Sequence, residues 1–175
     1  SHLQDHDLDV VTIGAHSEEC IQNIKNYKVN KIIELSSPEF NHYSPEAYSQ
    51  ALNKLAKDGG YDYVLAGATS MGKDFFPRLS GLLEVGLASD LVELRIENDQ
   101  IIGTKPFFAG KCLADAKISG PKPHLMTFRP NALGLKDATA ASEPAIEKQD
   151  SQLDDIKAKI KEIVKGTSEK LDLTE

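Results

Sequence analysis

Two rhythms of apolar residues alternate along the first half of the chain. Residues 8–13 (LDVVTI), 29–35 (VNKIIEL) and 61–66 (YDYVLA) are short, β-rich runs bounded by glycines or polar turns. The first is nearly continuous in apolar side chains, as expected of a strand covered on both faces of a parallel sheet. Between these runs the apolar positions fall at helical spacing: Cys20, Ile21 and Ile24, then Ala47, Tyr48, Ala51, Leu52, Leu55 and Ala56. Phe75, Phe76, Leu79, Leu82 and Leu83 continue the series after the third strand. Start and stop signals agree with this spacing. Ser17 precedes Glu18 and Glu19, Ser44-Pro45-Glu46 supplies an N-cap with proline at the first helical position, and Gly59-Gly60 ends the second helix. The order β, α, β, α, β, α calls for a parallel sheet with right-handed crossovers.

The organising stretch is residues 61–84. Its strand leads through a small-residue loop, 67–72, into the third helix, so the loop lies where open α/β sheets keep their ligands. Ser70 reads as the helix cap. Pro77 lacks an N–H, which predicts either a helix that begins near Phe76 or a loose first turn before a kink. After Gly86 the pattern changes. Residues 88–97, 101–108, 112–119 and 125–128 read as consecutive strands with short connections, hence antiparallel. Residues 132–150 are poor in large apolar side chains and read as a linker or arm. Residues 151–165, with Leu153, Ile156, Ile160 and Ile163 on one face, read as a helix that docks on its own domain or on a partner.

Bulk properties narrow the chemistry. With 20 basic and 27 acidic residues the net charge is −7, which argues against nucleic acid or an anionic membrane as partner. No run of eighteen apolar residues exists, so no membrane span is expected. The two cysteines, Cys20 and Cys112, exclude a disulfide framework and form no CxxC pair; both read as reduced, small buried side chains. His2 and His6 share a spacing that metal sites use, but at a terminus, and no metal is expected.

The loop offers one candidate for chemistry. Thr69 and Ser70 carry hydroxyls, Gly67 and Gly72 permit close backbone approach, Lys73 adds a charge, and a helix N-terminus favours anions. The plain alternative is a capped strand-to-helix turn, because the run is neither GxGxxG nor GxxxxGK[ST]. Asp74 and Arg78 read as a surface ion pair, and Asp90 beside Ser89 as a strand-edge cap. His16, His42 and His124 are scattered. No nucleophile, base and orienter stand together, so no catalytic residue is assigned.

The run GATSMGKDFFPRLSGLLEVGLASDLVELRI resembles electron-transfer flavoprotein α subunits. Thr69, Gly72-Lys73, Pro77-Arg78 and Ser89-Asp90 match that family's elements in order. Phe107-Phe108-Ala109-Gly110-Lys111 is similar to its aromatic, Ala/Gly, Gly-Asn segment, with Lys111 where Asn is usual, and Phe128-Arg129-Pro130-Asn131 to its Arg-Pro strand end. The likeness covers residues 8–131. It implies a Rossmann-like, adenine-nucleotide-hydrolase-like three-layer α/β sandwich, mainly parallel and extended by antiparallel strands. The expected division is an N-terminal domain over 1–131, a linker over 132–150, and a helix over 151–175 leading toward a flavin domain. The family has one more strand and helix upstream of the strand at Leu8.

The resemblance further implies an electron carrier component, with no catalysis of its own, that supports assembly. Its expected partners are the β subunit and the C-terminal flavin domain of its full-length chain, with acyl-CoA or other dehydrogenases as indirect partners. FAD would sit in the full complex, with its contacts mostly outside this domain; none is expected bound to this chain alone, and no FAD residue is assigned here. The expected compartment is the bacterial cytoplasm or the mitochondrial matrix. Thr69, Ser70, Gly72, Lys73 and Arg78 remain candidates for partner or anion contact, and a nucleotide-binding domain using loop 67–73 is the alternative function.

Overall fold

The computed structural model describes residues 7–14, 18–98, 100–134, 143–158, 160 and 162. The first half follows the expected order: β1 (Asp9–Ile13), α1 (Glu18–Lys25), β2 (Lys31–Ser36), a short 3-10 turn (Pro38–Phe40), α2 (Pro45–Gly59), β3 (Tyr63–Gly67) and α3 (Ser70–Leu83). Ser44 caps α2 by accepting from the Ala47 N–H, and left-handed Gly60 (φ 63°) ends it. The cap expected at Ser17 lies outside the described residues. Thr69, rather than Ser70, caps α3, and the helix runs unbroken through Pro77. Pro77 and Lys73, four residues earlier, are both exposed. Water can therefore take the carbonyl that Pro77 leaves without a partner.

The later elements are β4 (Leu87–Leu91), β5 (Glu93–Glu97), β6 (Gln100–Phe107), β7 (Cys112–Lys117), β8 (His124–Phe128) and β9 (Ala145–Asp150). The fold is α/β with parallel sheets and an antiparallel extension, as expected. Its strands form three sheets, ordered β1-β2-β9, β3-β8-β4 and β5-β6-β7. The first two are parallel and the third antiparallel.

Several expectations for the second half need correction. The run expected as one strand over 88–97 is two: β4 pairs with β8 through a bulge at left-handed Asp90 (φ 59°), and after Val92 the chain continues as β5, which pairs with β6 instead. Residues 125–128 do not continue the antiparallel series; β8 inserts between β3 and β4, parallel to both. All five of its residues are buried, which a two-sided parallel strand requires. The expected linker contains β9, which pairs with β2 through backbone bonds. Its side chains are mostly exposed, so composition gave no signal.

Residues 151–158 are not helical. Their backbone donors go elsewhere: Ser151 N–H to the Ser36 carbonyl (2.8 Å), Asp154 N–H to Gln50 Oε1 (2.9 Å) and Lys157 N–H to Glu46 Oε2 (3.0 Å). The segment runs extended along α2, with Ile156 buried in the core. Ile163 and Lys165 lie outside the described residues. Both cysteines are exposed, not buried: Cys20 is on the outer side of α1, and Cys112 opens β7 at the hairpin end.

The largest apolar cluster joins both parallel sheets to one helix layer. Ile33 and Leu35 of β2 meet Ala47, Ala51 and Leu52 of α2, Phe75, Phe76 and Leu79 of α3, and Leu125 of β8. Val10 and Ile32 pack on the opposite side of their sheet with Ile21, Ile24 and Val29.

Gly72 tests the tightest contact in this layer. A Cβ there would run into the Gly67 carbonyl oxygen, whereas one at Gly81 would meet nothing. Gly72→Ala should therefore cost about 1–3 kcal/mol of stability. Gly81→Ala, within the same helix, should gain about 0.5–1 kcal/mol. Urea unfolding of the two variants reads both signs.

Candidate functional site

The carboxyl ends of β3, β8 and β4 lie side by side and bring together a cluster of polar groups. At the end of β3 the Ala68 N–H donates to the Phe128 carbonyl (2.6 Å), which ties the loop to β8. The Thr69 hydroxyl accepts from the Gly72 N–H (3.2 Å), and the Thr69 carbonyl accepts from the Lys73 N–H (2.8 Å). The chain turns this sharply only because Gly72 has no side chain to strike Gly67.

Across β8, the bulge at Asp90 aims its carboxylate at Arg129. Arg129 donates through Nη2 (2.7 Å) and Nε (3.3 Å), and the Asp90 N–H donates to the Thr127 hydroxyl (3.0 Å). The bonds from Arg129 hold the Asp90 carboxyl below the usual range, with Lys73 and Lys105 adding charge in the same direction. Lys105 donates to the Ser89 hydroxyl (3.1 Å). The site thus has three cations around one carboxylate. A carboxylate held strongly ionised is a poor base, and the Thr69 hydroxyl is occupied as a cap. The arrangement suits recognition rather than bond-making.

Of the expected residues, Thr69, Ser70, Gly72 and Lys73 stand together at the start of α3. Arg78 does not join them. It reaches α2, donating to Glu46 Oε1 (3.1 Å), while the other oxygen of Glu46 holds residue 157. The surface pair expected between Asp74 and Arg78 is therefore replaced. Asp74 accepts from the Tyr43 hydroxyl (2.8 Å), and burial together with this bond pushes the Tyr43 phenol well up.

Asp90 is more than a strand-edge cap: it is the centre of the cluster, with Arg129 and Lys105 as partners that sequence spacing does not join. The only signal for Asp90 and Arg129 was the presence of Ser89-Asp90 and Arg129-Pro130 in the resemblance, and Lys105 had none. His124 is a buried residue edge-on to Tyr63, with Nε2 3.3 Å from the Gly120 carbonyl. His42 is exposed, and His2, His6 and His16 lie outside the described residues. Among the described residues no group of three potential metal ligands occurs, and no helix is long and apolar enough to cross a membrane.

A second feature is the β6–β7 hairpin. Phe108 (φ 51°), Ala109 (φ 55°) and Gly110 (φ 82°) are left-handed in succession. They hold Phe108 out at 79% exposure at the end of a hairpin that also exposes Phe107 and Leu113 (60% exposed). Lys105 Nζ lies 5.9 Å from the centre of the Phe107 ring. Large exposed apolar side chains of this kind mark a contact surface.

Comparison with known proteins gives a consistent picture. The family model "Electron transfer flavoprotein domain" matches residues 1–153. An electron transfer flavoprotein subunit alpha of Bacillus subtilis is 30% identical over 94% of this chain and 50% of its own length. One from Thermoanaerobacterium thermosaccharolyticum is 29% identical over 96% of this chain and 52% of its own. A mitochondrial subunit alpha of Arabidopsis thaliana is 29% identical over 66% of this chain and 31% of its own. The chain spans about half the length of the two bacterial relatives.

The Asp90–Arg129 pair has a pH signature. The folded Asp90 carboxyl titrates below its unfolded value of about 4. Its stabilisation is complete above that pH and fades as pH falls through the folded value. Asp90→Asn, which tolerates the left-handed backbone, should lower stability near neutral pH. The deficit should shrink as solutions become acid. Denaturant unfolding at neutral and acid pH checks this, and a deficit constant with pH contradicts it.

Proposed function

The chain belongs to the electron transfer flavoprotein domain family, and from that premise we propose that it is a scaffold and subunit-interface domain of an α subunit. One observation carries the reading: bacterial α subunits align along 94% and 96% of this chain while only about half of their own length is used. The parent protein would be a heterodimeric FAD carrier. It would take electrons from acyl-CoA or other dehydrogenases and pass them to a respiratory chain or another acceptor, in a bacterial cytoplasm or a mitochondrial matrix. In that assembly FAD belongs to the flavin domain of the full-length α subunit. This domain contributes surfaces, holds no flavin and performs no catalysis.

Two surfaces support the role. The hairpin exposes Phe107, Phe108 and Leu113 on a left-handed turn, which suits it to the β subunit. The rim at the start of α3 supplies polar contacts from Thr69, Ser70 and Lys73, with Gly72 setting its shape. Arg78 serves from behind, tying α3 to α2 through Glu46.

Nucleotide binding through loop 67–73 has weaker physical support. The Thr69 hydroxyl already accepts from the Gly72 N–H as the helix cap, and the run matches neither phosphate-loop pattern.

Calorimetric titration with the cognate β subunit tests the proposal. Binding is expected, and Phe108→Asp should weaken it at least about tenfold, or ~1.4 kcal/mol, without changing the circular dichroism spectrum. No affinity for the β subunit contradicts the reading. Micromolar AMP or ATP binding that Lys73→Ala abolishes would replace it with the nucleotide-binding alternative.

A further inference from the structure

We infer that the Lys105 ammonium meets a carboxylate of the β subunit when that subunit covers the hairpin of Phe107 and Phe108. The inference rests on the interface role proposed for the hairpin and adds to it the charge of the surface that faces it.

Three lysines among the described residues are half-buried: Lys25, Lys31 and Lys105. Two are compensated within their own chain. Lys31 has the carboxylates of Asp9 (3.8 Å) and Glu147 (3.6 Å). Lys25 stands in the last turn of α1, where the helix dipole favours a cation. Lys105, on β6, has neither. Its Nζ donates to the Ser89 hydroxyl (3.1 Å) and lies 5.9 Å from the centre of the Phe107 ring. Both neighbours are uncharged, and no carboxylate among the described residues forms an ion pair with it. Asp90 is near enough for Lys105 to help hold it ionised. Arg129 already occupies both of its oxygens, at 2.7 and 3.3 Å.

In the free chain water solvates the ammonium while the stem lies on the protein. Covering the hairpin changes that balance. Lys105 stands against Phe107, so a partner that buries this ring also takes water from the ammonium. A desolvated cation without a counter-charge opposes binding, and one with a hydrogen-bonded carboxylate does not. Asp and Glu are the anions that a polypeptide surface carries.

The surrounding charge favours the same partner. Lys73 is exposed and acts on Asp90 in the same direction as Lys105. This rim is therefore locally positive on a chain whose net charge is −7. An acidic patch is drawn here and repelled elsewhere, which fixes orientation as well as attraction. A second copy docking through the same face in a two-fold contact would bring Lys105 toward Lys105, so self-association is opposed.

Carbodiimide coupling tests this, because it joins an amine to a carboxylate without a spacer. The chain is mixed with the cognate β subunit, coupled, and mapped by peptide mass spectrometry. Lys105 should be found in an amide bond to an Asp or Glu of the β subunit. Calorimetry supplies a second readout. Lys105→Met keeps the stem and removes the charge. It should weaken binding at least about tenfold in low salt, with a smaller loss in high salt, and Lys105→Arg should restore most of the affinity. Coupling at exposed Lys111 but not at Lys105 overturns the inference. So does a Lys105→Met chain that binds as tightly as its parent, or one whose loss salt does not change and Lys105→Arg does not rescue. Those results leave the hairpin's role standing, whereas a parent chain that does not bind the β subunit removes both.

Discussion

A parallel strand in the interior of a sheet has to hydrogen-bond along both sides, and β8 is where this chain meets that demand. It pairs with β3 on one side and β4 on the other, with every residue buried. Fully burying Leu125 or Met126 is worth about 1.5–3 kcal/mol each, but the backbone sets the architecture. Reaching β8 from β4 takes the chain out through the β5–β6–β7 hairpins and back. The exposed antiparallel sheet is therefore the connection between two parallel strands, and its projecting tip is available for contact.

The polar site follows from the same placement. With β8 in the middle, Thr127 and Arg129 stand between the loop after β3 and the bulge of β4. The Ala68 N–H reaches Phe128 from one side, and Asp90 reaches Thr127 and Arg129 from the other. A carboxylate held by an arginine between two lysines makes a fixed electrostatic surface. Such surfaces orient partners and set association rates more than they perform chemistry. Together with the displayed Phe108, this supports the proposed interface role.

Much of this was legible in the sequence, and the remainder has physical reasons. The β-α alternation, the Ser44-Pro45 cap and the helical stripe of α3 are local signals, and they place the first half correctly. The parallel pairing of β8 is a long-range choice. HLMTF has the composition of a buried strand, but nothing local says which neighbours bury it. β9 was hidden because an exposed edge strand needs only its backbone, and residues 151–158 misled because an apolar spacing can serve one buried anchor, Ile156, as well as a helix. At the site, loop 67–73 could be read from its small residues. Asp90, Lys105 and Arg129 could not be joined, since their meeting depends on where β8 inserts. Arg78 was misassigned because Glu46, its partner, comes from another helix.

The central claim is that this domain works through polypeptide surfaces, with the electron-carrying group held elsewhere in the α subunit. The most direct measurement is visible absorbance of the isolated chain after incubation with excess FAD and desalting, beside the full-length subunit assembled with its β partner. The account predicts a colourless chain and a yellow complex. Stoichiometric flavin retained by the isolated chain would contradict it.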